Sequence, residues 1–495
     1  MFSKILVANR SEIAIRIMRA CREMGIRTVA VYAEADKDAL HVQFADEAIW
    51  IGDSAPRESY LNIPKVIAAA KASGADAIHP GYGFLSENTV FAEAVFAAGL
   101  TFIGPPASAI RAMGDKAESK ITMKAAGVPT IPGAEGLSAL TEYLEAAGAI
   151  GYPVLVKAAA GGGGKGMRVV ESAREMPEAL EAARRESQNG FGDDRLLIEK
   201  YIQNAHHIEF QVFGDNYGNL AHLFERECST QRRHQKIIEE SPSPLLTPQL
   251  RAEMGAAAVA AARTVGYSNA GTVEFIFDPL LSAFYFLEMN TRLQVEHPVT
   301  EAVTGLDLAQ WQIRVAAGEP FPFEQADLTQ RGHAIECRLY AEDAAGGFLP
   351  STGRILQYVE PRGPGIRVDS GVAAGSEVSR FYDPLLAKLI VSAETREAAI
   401  WRMQGALREF VVHGVTTNID FLQALLAHPA FASGEISTRW VENVFNWAPA
   451  DEPSVEALIA AAIGEAAGGR SQVSAAGEPD PFSPWKSGSG FRLGA

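Results

Sequence analysis

The sequence predicts an α/β and α+β multidomain protein, and three observations carry the prediction. Strand and helix patterns alternate from Lys4 to about Gly104, as in a parallel, doubly wound sheet. A glycine-rich loop at 161–166 lies between two strand patterns. Two aromatic-rich strands, Gly271–Asp278 and Phe284–Asn290, are joined by a loop short enough for a hairpin.

Lys4 to Ala8 reads as the first strand. Ser11 is expected to cap a helix that runs to about Met24, with Ile13, Ile17 and Cys21 on one face. Thr28 to Tyr32 reads as the second strand. The turn between the first strand and its helix is Ala8-Asn9-Arg10-Ser11, without the glycines of a dinucleotide site. Glu34 stands where a ribose-binding carboxylate would be, but without those glycines it reads as a solvated loop charge. His79-Pro80-Gly81-Tyr82-Gly83 follows an apolar run. It is either an ordinary turn or part of a ligand site at a strand end.

Four segments follow from these patterns: 1–113, 114–317 with an inserted small domain at 133–201, 332–446, and 447–495. The last is rich in Gly, Ser, Pro and Ala and reads as a linker or the start of a following domain. A hydrophobic content of 47% is ordinary for a globular protein, and no apolar run is long enough to span a bilayer. A net charge of −16 disfavours nucleic acid as a general partner. Cys21, Cys228 and Cys337 are far apart and offer neither a disulfide framework nor a zinc spacing, which suits a cytoplasmic protein.

Pro153 to Ala160 reads as a buried strand, Gly161-Gly162-Gly163-Gly164-Lys165-Gly166 as a loop, and Met167 to Val170 as the next strand. Successive glycines let backbone N–H groups close around phosphate oxygens. A P-loop would continue with Ser or Thr and a helix, so this is a strand–loop–strand flap over a nucleotide. Lys157 lies in the apolar run before it and needs a partner anion, which a nucleotide phosphate would supply.

A hairpin turning near Leu281 sets Glu274 opposite Glu288. Facing carboxylates repel unless a cation lies between them, and an all-oxygen site suits magnesium. From 288 onward the even positions are Glu288, Asn290, Arg292, Gln294 and Glu296, while the odd ones are largely apolar. In an extended chain the even side chains share one face. Arg292 can then hold a carboxylate-like anion, and a glutamate beside it can act as a general base. Gln231 to Lys236 is a local basic cluster, which a solvated loop would also explain. Arg338 lies in an alternating strand, where a lone arginine is usually at the surface.

The run Glu-Met-Asn-Thr-Arg-Leu-Gln-Val-Glu-His-Pro-Val-Thr-Glu at 288–301 resembles the signature of biotin carboxylases, members of the ATP-grasp superfamily. Residues 5–14, 79–88, the glycine flap and 232–236 are similar to other stretches of that family. The resemblance covers roughly residues 2 to 445. It implies a Rossmann-like N-terminal domain, an ATP-grasp domain with a mobile lid and a mixed C-terminal domain. For ATP it implies Lys116, Lys157, the flap glycines Gly162, Gly163 and Gly164, the adenine hinge at Glu199, Lys200 and Ile202, and His207, Gln231 and His234. For Mg2+ or Mn2+ it implies Glu274, Glu288 and Asn290. For bicarbonate it implies Lys236, Arg292, Gln294 and Val295, with Glu296 as the base. Arg338 is implied to stabilise the biotin enolate, with Tyr82 where biotin packs.

The implied activity is carboxylation of biotin N1 by ATP and bicarbonate through carboxyphosphate. The family is commonly dimeric, and Arg16, Arg19 and Glu23 resemble interface residues. The sequence contains no Ala-Met-Lys-Met motif, so biotin is expected on a separate carrier domain or chain. A carboxyltransferase subunit is the further partner implied. Residues 481–494 resemble the approach to the next domain of acyl-CoA carboxylase α chains. With residues 311–314 they lean toward the methylcrotonyl- or geranyl-CoA type, and propionyl- and acetyl-CoA remain alternatives.

Overall fold

The first sheet is parallel, in the order Glu47–Gly52, Arg27–Ala33, Lys4–Val7, Ala77–His79, Thr101–Phe102. The computed structural model describes residues 1–158, 167–449 and 455–468. Both faces of this sheet are covered. Ile5 and Val7 pack with Ile13, Ile17 and Cys21 of the helix Ser11–Glu23. Leu6, one residue out of phase, packs with Val29 and Val31 on the other side. Ser11 does not cap the helix as expected. Arg10 holds the cap position without a side-chain cap bond. Its guanidinium instead donates two 2.8 Å hydrogen bonds to Asp36, and Ser11 lies against Gly371, where an added Cβ would meet the serine hydroxyl.

A four-stranded sheet is built from Gly133–Ala134, Leu196–Lys200, Val154–Ala158 and Arg168–Val170. The helices Leu140–Ile150 and Met176–Phe191 supply Tyr143, Ala147, Met176, Leu180 and Ala183 to its core.

The large sheet has eight antiparallel strands, in the order Ala283–Asn290, Asn269–Asp278, His206–Gly214, Leu220–Arg232, Gln235–Ser241, His333–Tyr340, Leu385–Ala393, Ile366–Ser370. It runs continuously across residues that the sequence divides between 317 and 332. The join is the pair Gln235–Ser241 and His333–Tyr340, with Glu239 opposite Glu336 and Ile238 opposite Cys337. Alternation sorts each strand. Ile208, Phe210 and Val212 enter one apolar cluster, while Ile335, Cys337 and Leu339 enter another. The residues between them, His207, Glu209, Gln211, Glu336 and Arg338, are also buried and therefore need polar partners.

Met1–Trp447 cluster as one unit and Ala448–Ala495 as a second. The described part of the second is residues 448–449 and the helix Val455–Gly468. Among the described residues no helix is long and apolar enough to cross a membrane.

Candidate active site

The polar face of the large sheet gathers four carboxylates around two cations. Lys236, one residue into the strand Gln235–Ser241, donates to Glu209 at 2.5 Å, Glu274 at 2.9 Å and Glu296 at 2.6 Å. Arg338 donates to Glu239 at 2.6 Å and to the second oxygen of Glu296 at 3.1 Å. Beneath them Arg226 is fully buried and reaches Glu209, Gln211, Thr300 and Thr272 within 3.1 Å.

Glu274 stands directly opposite Glu288 across the hairpin, in the expected register, with a bulge immediately after that pair. Glu274 also takes hydrogen bonds from Asn290 at 2.7 Å and Gln294 at 3.2 Å, and lies 2.9 Å from His207. The expected extended row from 288 to 296 does not form. The strand ends at Asn290, and a helix begins at His297 with Glu296 in its cap position. Pro298 in the first turn favours that start, because an initial helical position has no use for its missing N–H. The polar side chains converge across the bend. Arg292 donates to Gln294 at 2.8 Å and Asn290 at 3.1 Å, and is held from outside by Glu87 at 2.8 Å.

The charges set one another. Burial pushes the Glu296 carboxyl up, but Lys236, Arg338 and Arg226 outweigh it and hold it well below the usual range. Glu274 is lowered in the same way, against burial, by Lys236 and His207. Burial opposes the charge on Lys236, yet Glu209, Glu274 and Glu296 raise it well above an ordinary lysine. For Glu209 burial wins over Arg226 and Lys236, and its carboxyl is raised.

Lys157 has Glu199 as a partner anion at 2.7 Å, and Glu199 also pairs with Lys120. Lys200 donates to the carbonyls of Gly151 and Tyr152 at 2.9 and 3.2 Å, and Ile202 is half-buried. Gln231 is buried and donates to the Cys228 carbonyl at 3.4 Å. His234 is exposed at the hairpin tip with a φ of 66°. Lys116 opens the helix Lys116–Ala125, and its side chain lies outside the described residues. Gly162, Gly163 and Gly164 also lie outside them.

The Tyr82 hydroxyl donates to Glu12, and Glu12 lies 3.3 Å from the fully buried Lys388, which donates to the Val295 carbonyl at 2.8 Å. Arg338 is buried at 8% exposure, contrary to the surface expectation for a strand arginine. The basic cluster is likewise not a solvated loop throughout, since Lys236 points inward and Arg232 covers the Phe348 ring at 3.9 Å. Arg16 is committed within its own chain to Glu301 and Asp307, each at 2.8 Å. Arg19 is half-exposed and 3.8 Å from Asp369, and Glu23 accepts from Gln310 at 2.8 Å.

The motifs do not single out Glu209, Arg226 or Glu239. For Glu209 the signal is a charged residue at an alternate position of an apolar stretch, Ile208-Glu209-Phe210, whereas Arg226 and Glu239 lie in the charged runs Glu225-Arg226-Glu227 and Glu239-Glu240, which give no such signal.

A divalent cation fits the donor set. Two carboxylates in direct cross-strand register with an amide beside them form an oxygen-rich group. The nitrogen donors on Glu274 are what a cation would displace. Two further sets, His207/Glu209/Glu274 and Glu209/Cys228/Glu296, bring donor atoms within 4.8 Å of one another. Lys236 already bridges their carboxylates, and burial pushes the Cys228 thiol well up.

Three family models match the chain: biotin carboxylase N-terminal domain over 1–110, carbamoyl-phosphate synthase L chain ATP-binding domain over 115–323, and biotin carboxylase C-terminal domain over 336–443. The α chain of methylcrotonoyl-CoA carboxylase from Glycine max is 55% identical over 441 residues, covering 89% of this chain. The chain spans only 60% of that relative's length. Biotin carboxylase 1 of Bacillus subtilis is 53% identical, with 89% of this chain and 98% of the relative covered. Among solved structures, the biotin carboxylase domain dimer of Hydrogenobacter thermophilus 2-oxoglutarate carboxylase, with MgADP, ADP and bicarbonate, has a TM-score of 0.85 at 50% identity, covering 91% of this chain and 100% of that one. Biotin carboxylase from Campylobacter jejuni in complex with β-γ-ATP has a TM-score of 0.85 at 47% identity, covering 89% and 98%. With three family models matched in order over most of its length and the Bacillus subtilis relative 98% covered, the chain belongs to the biotin carboxylase family.

Proposed function

We propose that this chain carboxylates N1 of biotin with ATP and bicarbonate, as the first half-reaction of an acyl-CoA carboxylase. The observation that carries the reading is Glu296 held ionised between Lys236 and Arg338, beside the facing pair Glu274 and Glu288. In this reading Lys236, Arg292, Gln294 and Val295 receive bicarbonate. Glu296 takes its proton, and the bicarbonate oxygen attacks the γ-phosphate of ATP to give carboxyphosphate and ADP. Carboxyphosphate breaks down to carbon dioxide and phosphate, phosphate takes the N1 proton, and N1 attacks carbon dioxide. Arg338 stabilises the enolate oxygen and Tyr82 packs against biotin. These roles are positioning and electrostatic ones.

Lys116, Lys157, Gly162–Gly164, Glu199, Lys200, Ile202, His207, Gln231 and His234 are assigned to ATP. Glu274 and Glu288, with Asn290, would hold Mg2+ or Mn2+, which when bound neutralises phosphate charge. Residues 1–113, 114–317 (lid 133–201) and 332–446 act as the three domains, and 447–495 as linker or start of another. Biotin arrives on a separate carrier domain or chain, and a carboxyltransferase subunit passes the carboxyl to the acyl-CoA, of methylcrotonyl- or geranyl-CoA type. The dimer solved for the Hydrogenobacter domain supports a homodimer here. Three buried free cysteines support a reducing, cytoplasmic setting.

The test is ATP hydrolysis with magnesium, with and without bicarbonate and free biotin. Both additions are expected to raise the rate, and no response to either refutes the reading. Glu296→Ala is expected to lose the biotin-stimulated rate and keep nucleotide binding.

A further inference from the structure

Glu239 and Glu336 stand directly opposite each other on the two strands that join the halves of the large sheet. Both are fully buried. One oxygen of Glu239 accepts from Nε of Arg338 at 2.6 Å and from Nη2 at 2.5 Å. Among the described residues its other oxygen has no hydrogen-bond partner, and neither has either oxygen of Glu336. We propose that Glu239 is a positioning residue that aims Arg338 at biotin, and that Glu336 is kept as a neutral acid beside it, so that the pair carries a single negative charge. This rests on the reading that Arg338 faces biotin.

Two ionised carboxylates facing each other repel, and a buried ion without donors is costly. Glu239 has a guanidinium to offset its charge. Glu336 has more distant cations, chiefly Lys388, which is committed to Glu12, Asp369 and the Val295 carbonyl. The proton therefore resides on Glu336. The other groups facing the pair are Lys236 on the strand of Glu239 and Glu296 at the head of the helix His297–Thr304, while the Cys337 thiol lies on the opposite face. Burial, working against Arg338, pushes Glu239 up to about 7, and it pushes Glu336 well above the carboxylate range. As pH falls through 7, Glu239 takes a proton and the anchor of Arg338 loses its charge.

Biotin-stimulated ATP hydrolysis measured against pH tests the positioning role on the whole chain. Wild type should lose rate below a limb near pH 7. Glu239→Gln should lower kcat about tenfold at pH 8, remove that limb and leave the KM for ATP within about twofold. Glu336→Gln should keep the limb. A Glu239→Gln enzyme that retains the limb, or that loses kcat and ATP affinity together, overturns the proposal.

Infrared spectra read the protons without activity. Wild type at pH 8 should show a protonated-carboxyl C=O band that Glu336→Gln lacks, and a second band should grow in wild type as pH falls through 7. Absence of both bands in wild type overturns the proposal whether or not the variants fold. A wild type with the bands but no response to biotin refutes the functional reading alone.

Discussion

Replacing Lys236 by Met keeps the length of the side chain and removes the cation shared by Glu209, Glu274 and Glu296. At an effective dielectric of about 20, the 2.6 Å contact with Glu296 is worth about 6 kcal/mol before desolvation. The net loss is capped, because a stranded carboxylate can take a proton instead. Protonating one glutamate of ordinary pKa, about 4.3, costs about 2 kcal/mol at pH 6, 4 at pH 7 and 5 at pH 8. Lys236→Met should therefore lose about 4 kcal/mol at pH 7, within the range for breaking a buried pair. The loss should grow by about 1.4 kcal/mol for each pH unit above that. The sign is opposite to that of wild type. There, Glu274 and Glu296 are held below their usual range, so their contribution is present above an ordinary carboxyl pKa and fades only in acid. Urea unfolding of both proteins at pH 6, 7 and 8 measures the difference. A loss below about 1 kcal/mol, or one equal at all three pH values, would refute the argument.

Two further outcomes follow from the same electrostatics. Burial lowers His41 to about 4 and His79 to about 3. Each therefore contributes stability that is full above pH 6.5 and fades as pH falls toward those values, by about 3 kcal/mol for the completely buried His41; a urea midpoint unchanged between pH 7 and pH 5 would contradict this. Arg16→Ala should cost about 1 to 3 kcal/mol, because it removes one of the two arginines on Glu301 while Arg367 stays 2.7 Å away. Because that contact lies within one chain, the loss should not depend on protein concentration, and a concentration-dependent loss would assign Arg16 to an interface instead.

The parts of the structure that repeat locally are the parts that can be read in the sequence. The strands Lys4–Val7 and Asn269–Asp278 and the register of Glu274 with Glu288 follow from alternation and loop length. The cap at Ser11 does not, because Arg10 is drawn to Asp36, 26 residues away, and no local pattern encodes that partner. The bend after Asn290 is concealed because the polar positions continue to alternate through it. Arg338 looks like a surface residue until its strand is paired with Gln235–Ser241, which brings Glu239 beneath it. Likewise, the partner of Lys157 is set by the pairing of Val154–Ala158 with Leu196–Lys200, which brings Glu199 near.

In the proposed reaction, the same long-range pairing bears on when Glu296 acts as the base. A carboxylate held well below its usual range is a weak acceptor. Its low basicity comes from Lys236 on one oxygen and Arg338 on the other. An incoming bicarbonate anion would compete for these cations and for Arg292, which now donates to Gln294 and Asn290. Each contact the anion drew away from Glu296 would return basicity to it, so in the proposed reaction binding of bicarbonate would activate its own base. Before the anion arrives, the same contacts keep Glu296 ionised and paired. The proposed reaction would then couple proton removal to occupancy of the anion site, and that coupling depends on Lys236 and Arg338 meeting one carboxylate from two different strands of the sheet.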